Sequence, residues 1–142
     1  MKWFKLLLID EDDLSESIKS SIHIVEARQL LLKSRISAVQ AITKYLECLW
    51  AHTKNSIERA VGRALFNISR IHIVITLPAI WPHYAQMRMR QAAEAAGILA
   101  PRSAGETTLE FVPEPEAAAL ATMSDMTNRS DIELQLFTHV VS

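Results

Sequence analysis

The hydrophobic pattern is densest between residues 70 and 123, where apolar runs alternate with stretches of helix-forming residues. Residues 71–77 form a short, nearly all-apolar run, typical of a strand buried on both faces of a parallel sheet. Residues 83–96 are good helix formers, and Gly97 follows where a left-handed helix cap is expected. Residues 107–112 have the β-branched and aromatic side chains of a second strand. The order strand, helix, strand predicts an α/β fold.

A second helix is predicted to open at Glu114, directly after the second strand. Pro115 suits the first turn of a helix, and Glu116 lies near the positive end of the helix dipole. Two parallel strands joined by a helix require a right-handed crossover, and ligands of such sheets bind beyond the carboxyl ends of the strands. We therefore expect Pro78 and Glu114, which follow the two strands, to lie at that edge.

The N-terminal part of the chain predicts two further helices. Residues 3–9 are mainly apolar and fit a short strand or a buried extended segment. After the acidic residues 10–13, a helical pattern covers residues 15–33, opened by the capping-box spacing of Asp13 and Glu16. Ser37 and Gln40 have the same spacing ahead of a long helix that reaches about residue 65. One face of that helix carries apolar residues at intervals of three and four: Val39, Ile42, Leu46, Leu49, Thr53, Ile57, Ala60 and Ala64.

The C-terminal residues change character after the second predicted helix. Residues 124–131 are polar and predict a loop. Residues 132–136 alternate between apolar and polar side chains, which predicts a strand.

Composition excludes several classes of protein. A length of 142 residues is enough for one domain, and the net charge of −1 without a basic stripe argues against nucleic-acid binding. No apolar run approaches the ~18 residues that a membrane span requires. The one cysteine, Cys48, excludes an internal disulfide and is expected to be a small buried hydrophobe. We expect a cytoplasmic protein.

The sequence offers little metal chemistry. The acidic residues 10–13 fit either a cation site or, more simply, a solvated turn before a helix. The five histidines show no ligand spacing, so no metal site is predicted. Three arginines in and after the first helix of the strand–helix block, Arg88, Arg90 and Arg102, are interpreted as solvated charges rather than a phosphate clamp.

Three short motifs carry a family resemblance. The motif T-L-P-A begins at Thr76, A-A-G ends at Gly97, and E-P-E-A-A-A begins at Glu114. Together they resemble the ATPase domain of the 70-kilodalton heat-shock protein family, in the actin-like ATPase superfamily with its ribonuclease H-like fold. Trp81 after the proline turn, and Glu116 within the last motif, are similar to the divergent heat-shock-like proteins of fungi rather than to true chaperones.

The resemblance implies roles for two residues. Glu114 corresponds to a catalytic glutamate near the magnesium ion and the attacking water, and Pro78 to a conformational switch that couples the nucleotide to domain movement. The implied cofactors are ATP and magnesium. From the residues alone, Glu114 is better explained as a charge at a helix N-terminus, and Pro78 is explained as a strand terminator.

The glycines depart from the family pattern. The family holds phosphates with two glycine-rich hairpins, whose backbone N–H groups close around the phosphate oxygens. This sequence has three glycines, Gly62, Gly97 and Gly105, and none lies in such a hairpin. ATP and magnesium are therefore not expected to bind this chain alone.

The match is specific over residues 37–123, weaker over residues 1–36, and lost over residues 124–142. We expect a partial actin-like ATPase domain: a parallel βαβα block preceded by a long helix, with little activity by itself. Its partner would be the rest of an ATPase domain or another protein. The alternative is a stand-alone, non-catalytic interaction module that uses the sheet edges and the long helix.

Overall fold

A two-stranded parallel sheet organises the computed structural model, which describes residues 4–127. Strand β1 (His72–Leu77) pairs with β2 (Thr108–Pro113), in a register that joins Leu77 to Pro113. Helix α5 (His83–Ala95) connects the strands, and α6 (Glu114–Thr127) follows β2 directly. The predicted parallel βαβα block is thereby confirmed.

The sheet is covered mainly on one face. Ile73 and Ile75 of β1, with Leu109 and Phe111 of β2, pack against the core, whereas Val74 is 49% exposed. The prediction that the first strand is buried on both faces is therefore wrong. Alternate side chains point to opposite faces, and only one face meets the core residues of α5 and the preceding long helix. That core contains Ile42, Leu46, Trp50, Ala85, Met89, Ala92 and Ala93.

The N-terminal segment is helical rather than extended. Residues Phe4–Leu8 form a 3₁₀ helix, and Glu11–Asp13 form a second 3₁₀ turn. Leu8 and Ile9 are both buried, which an alternating strand on one core face cannot achieve. The N–H of Ile9 donates to the carbonyl of Leu6 at 3.1 Å, closing the tighter turn.

The first predicted long helix is divided in two. Helix α1 (Glu16–Lys19) ends at Ser20, whose hydroxyl donates to the carbonyl of Glu16 at 2.7 Å. Ser21 is extended, and α2 (Ile22–Ser34) begins after it. Serine hydroxyls compete with the helical ladder in this way. The predicted capping box of Asp13 and Glu16 is wrong, because Ser15 is the N-terminal flanking residue of α1.

The long helix α3 (Ala38–Val61) begins as predicted. The hydroxyl of Ser37 accepts from the N–H of Gln40 at 3.1 Å, and the side chain of Gln40 accepts from the N–H of Ser37 at 2.7 Å. The helix ends at Gly62, earlier than predicted, and a short helix α4 (Arg63–Ile68) follows. Cys48 is exposed, so its predicted burial is wrong: at 100° per residue it lies far from the buried stripe of this helix.

The ends of α5 and α6 decide two further predictions. Gly97 has a φ of +73°, and its N–H donates to the carbonyl of Glu94 at 2.9 Å, which confirms the left-handed cap. Helix α6 continues to Thr127, so the predicted polar loop does not begin at Ser124. The strand predicted over residues 132–136 lies outside the described residues. No helix within residues 4–127 is long and apolar enough to cross a membrane.

Candidate functional site

The carboxyl edge of the sheet brings Pro78 and Glu114 together. Leu77 and Pro113 form the last pair of the two strands, and Pro78 and Glu114 follow them directly. Neighbouring strands lie about 4.8 Å apart, so the two residues leave the sheet side by side. This is the placement that the predicted topology requires, and it holds for both sequence-predicted site residues.

Glu114 carries the charge of this edge. It is the first residue of α6, and its Oε1 lies 2.9 Å from the Nζ of Lys5. The same ammonium donates to the backbone carbonyl of Thr76, in β1, at 3.1 Å. The side chains of Lys5 and Glu114 are 32% and 46% exposed, a level at which an ion pair contributes about 1 kcal/mol or less. The pair therefore directs the carboxylate more than it stabilises the fold.

Lys5 is the site residue that sequence reasoning missed. It lies 109 residues before Glu114 and within a segment expected to be extended and apolar. The sole signal was a lone cation in an otherwise apolar run, which is equally typical of a solvated surface charge.

The turn after β1 holds Pro78 in place. The carbonyl of Pro78 accepts from the N–H of Trp81 at 3.2 Å, which closes a tight turn. The ring of Trp81 is 5% exposed and belongs to the hydrophobic core. Strand β1 ends immediately before Pro78, as expected of a strand terminator. The turn is thus anchored in the core while the proline ring is half-buried at the edge.

An apolar cleft lies beside the unpaired side of β1. The carbonyl of Ile71 accepts from the N–H of Thr108, so the alternating carbonyls of Val74 and Thr76 point away from β2. The cleft has a volume of about 330 Å³. Its lining is mainly aliphatic and aromatic, with Lys5 as the charged member: Lys5, Ile42, Tyr45, Leu46, Leu49, Val74, Ile75, Thr76 and Met89.

The acidic residues 10–13 are exposed, as a solvated turn requires, and three of them also make specific contacts. Asp10 accepts from Arg88 at 2.7 Å, Glu11 pairs with Arg28 at 2.5 Å, and Asp13 accepts from the hydroxyl of Tyr84 at 2.5 Å. These contacts fasten the N-terminal segment to α2 and α5. Within residues 4–127, no group of three or more His, Cys, Asp or Glu side chains is arranged to hold a metal.

The phenol of Tyr84, which contacts this turn, has a shifted pKa. Its partial burial, followed by the hydrogen bond to Asp13, raises the pKa of Tyr84 above its usual value of 10.0. The phenol therefore stays protonated at neutral pH and remains a donor to the carboxylate.

The arginines that were interpreted as solvated charges have protein partners. Arg88 donates to the carbonyl of Leu8 at 2.8 Å, and Arg90 lies over the ring of Phe111. Arg102 donates to the carbonyl of Phe66 at 2.6 Å. The interpretation as solvated side chains is wrong for all three, because backbone carbonyls and aromatic rings outside their own elements engage them.

Magnesium ATP does not fit the described residues alone. Gly62, Gly97 and Gly105 lie at a helix junction, a helix cap and an isolated bridge, and none forms a hairpin that can surround a phosphate. The carboxylate of Glu114 at this edge is already neutralised by Lys5.

The chain is similar to two human proteins of the 70-kilodalton heat-shock group. It is 42% identical to heat shock 70 kDa protein 12A over 55 residues, which cover 39% of this chain and 8% of that protein. It is 30% identical to heat shock 70 kDa protein 12B over 112 residues, which cover 74% of this chain and 16% of that protein. The chain therefore spans a small part of the length of either relative.

The other two comparisons give no match. No protein family model matches the chain, and no solved structure matches it. The relation to heat-shock 70-like proteins accordingly rests on the similarity to these two human proteins.

Proposed function

We propose that this chain forms part of the nucleotide-binding domain of a heat-shock-protein-70-like ATPase, with the actin-like fold and of the divergent type found in fungi. One observation carries the proposal. The T-L-P-A motif lies at the end of β1 and the E-P-E-A-A-A motif begins directly after β2, so that Pro78 and Glu114 lie at one edge of the sheet. This is the edge at which ligands of parallel sheets bind. The names of both similar human proteins agree with this assignment.

The proposal assigns ATP and magnesium to the complete protein rather than to this chain. The partner is the remainder of the domain, which would supply the phosphate-binding hairpins that residues 4–127 lack. Glu114 contributes a carboxylate to the joint site, and Pro78 is the switch at the end of β1. The proposal places the protein in the cytoplasm, where the exposed thiol of Cys48 stays reduced.

The assignment of Glu114 is tested by ATP hydrolysis in the complete native protein that contains this chain. We expect Glu114→Gln to lower kcat about 100-fold, because a positioned acid or base contributes on this scale. The matched control is Glu116→Gln, which removes the same charge from the same helical turn, two residues further on. It should leave kcat within about twofold of wild type, as expected for a surface charge outside the chemistry.

Equal kcat values for the two variants would remove Glu114 from the site. Magnesium-dependent ATP hydrolysis by the isolated 142-residue chain would contradict the incompleteness of its ATP site. A native product without ATPase activity, holding a stable protein partner, would instead favour the non-catalytic interaction module.

A further inference from the structure

Lys5 connects three elements that are distant in the sequence. Its ammonium group contacts the carbonyl of Thr76, near the end of β1, and the carboxylate of Glu114, at the start of α6. The lysine itself belongs to the N-terminal 3₁₀ helix. One side chain therefore bridges both strands' carboxyl ends from a third element, and we refer to Lys5, Thr76 and Glu114 as the lysine bridge.

The backbone geometry explains why a lysine occupies this position. The carbonyl of Thr76 faces away from β2, so no strand of the described chain satisfies it. An ammonium has three donors and can serve this carbonyl and a carboxylate at once. Leu8, which is completely buried in the core, holds the N-terminal 3₁₀ helix beside the carboxyl edge of the sheet. The position of Lys5 is therefore set by packing rather than by its own charge.

Two described arginines near the sheet have other partners. Arg88 binds Asp10 and the carbonyl of Leu8, and Arg90 lies over Phe111 with a 3.4 Å contact to the carbonyl of Leu109. Among the described ion pairs, the one that includes Glu114 is formed with Lys5. The orientation of the Glu114 carboxylate within residues 4–127 thus depends on a single cation.

We propose that Lys5 is a positioning residue for Glu114, so that the N-terminal segment is part of the candidate site. Lys5 fixes the carboxylate at the sheet edge by tying it to the backbone of β1. The role of Lys5 in catalysis rests on the proposed ATPase function, whereas the bridge itself does not. A segment that matches the family only weakly then contributes a functional side chain.

Carbodiimide cross-linking of the 142-residue chain tests the bridge without any activity. The reagent joins an amine and a carboxylate in contact as an amide, and tryptic mass spectrometry locates the bond. We expect a Lys5–Glu114 linkage that is lost in Lys5→Arg and in Glu114→Gln but kept in Glu116→Gln. The Lys44–Glu47 pair, at 2.8 Å on the surface of α3, is an internal control for the reaction. A Lys44–Glu47 linkage without a Lys5–Glu114 linkage would overturn the inference.

Steady-state kinetics of the complete protein tests the positioning role. We expect Lys5→Met to lower kcat about tenfold or more with an unchanged KM for ATP, because a misdirected reacting group costs rate at this scale. Lys5→Arg should restore most of kcat, since a guanidinium has enough N–H donors to span the same two acceptors. A purely structural lysine would lower the fraction of folded protein but not kcat per folded molecule.

The two proposals fail in different ways. If Glu114→Gln lowers kcat and Lys5→Met does not, the positioning role is wrong and the proposed function stands. If neither variant changes kcat, the assignment of Glu114 fails. The cross-link still reports whether the bridge exists.

Discussion

Tyr84 joins the acidic turn to α5 through its hydroxyl group. The hydroxyl donates to Asp13 and accepts from the N–H of Asp10 at 3.0 Å, while Arg88 lies 4.7 Å from the ring centre. Sequence reasoning interpreted the acidic residues and Arg88 as solvated charges. These contacts join residues more than 70 positions apart, and no local pattern encodes them. The positions of Glu114 and Pro78 at the sheet edge were predictable because they follow from strand order alone. The contacts of Lys5, Tyr84 and Arg88 depend instead on how the N-terminal segment packs against the rest of the chain.

The contacts of Tyr84 predict a pH dependence of stability. Because the pKa of Tyr84 is raised in the folded state, its stabilising effect is complete below pH 10.0 and is lost as pH rises through the raised pKa. We expect wild type to be more stable than Tyr84→Phe at neutral pH, with the difference shrinking above pH 10.0. Urea unfolding of both proteins from neutral to alkaline pH measures it.

The matched variant for this test is Asp13→Asn, which keeps an acceptor for the phenol but removes the negative charge. This variant should lose less stability at alkaline pH than wild type, because the carboxylate is one of the causes of the raised pKa of Tyr84. If the free energies of unfolding of wild type and Tyr84→Phe differed by the same amount across the whole pH range, the proposed role of the Tyr84 hydroxyl would be contradicted.

At the scale of elements, local signals were reliable where they concern helix ends. The capping box of Ser37 and the left-handed cap at Gly97 are both present, because each is formed by neighbouring residues. The 3₁₀ form of the N-terminal segment and the break at Ser20 were not predicted. They follow from which side chains reach the core, and burial is decided by distant elements.

Gly62 and Gly97 form a matched pair for testing helix termination. Gly62 has φ +86° and ψ 147°, a region that is essentially limited to glycine, whereas Gly97 occupies a left-handed cap that asparagine tolerates. An added Cβ meets no atom within 4 Å at either site, so the backbone alone decides the cost. We expect Gly62→Asn to lower the free energy of unfolding by about 1–3 kcal/mol.

The same substitution at Gly97 should cost less than about 1 kcal/mol, because asparagine visits the left-handed region. Urea unfolding of the two variants gives the comparison directly. Equal destabilisation would show that the junction between α3 and α4 does not depend on the glycine conformation.

At the scale of the whole molecule, α6 is the least enclosed of the long helices that the structure describes. It has no buried residue, and its apolar side chains Leu120 and Met123 are 59% and 57% exposed. The unpaired edge of β1 and the apolar cleft beside it are likewise open within residues 4–127. The proposed larger protein accounts for these surfaces, because the missing part of the domain would cover them.

The parallel βαβα block and its carboxyl edge followed from the sequence because parallel βαβ topology is strongly constrained. The open second face of the sheet could not be predicted from the sequence. An apolar run such as residues 71–77 has the same hydrophobic pattern whether the helices that cover it belong to this part of the protein or to another part. Sequence periodicity alone cannot make that distinction.

The size of the native product tests the central claim most directly. An antibody against residues 106–112, which cover most of β2, would detect the protein on an immunoblot of the native source. The proposal predicts a band several times larger than the 16.0 kDa of this chain. A single band at 16.0 kDa would contradict the assignment to a larger ATPase and leave the interaction module as the better account.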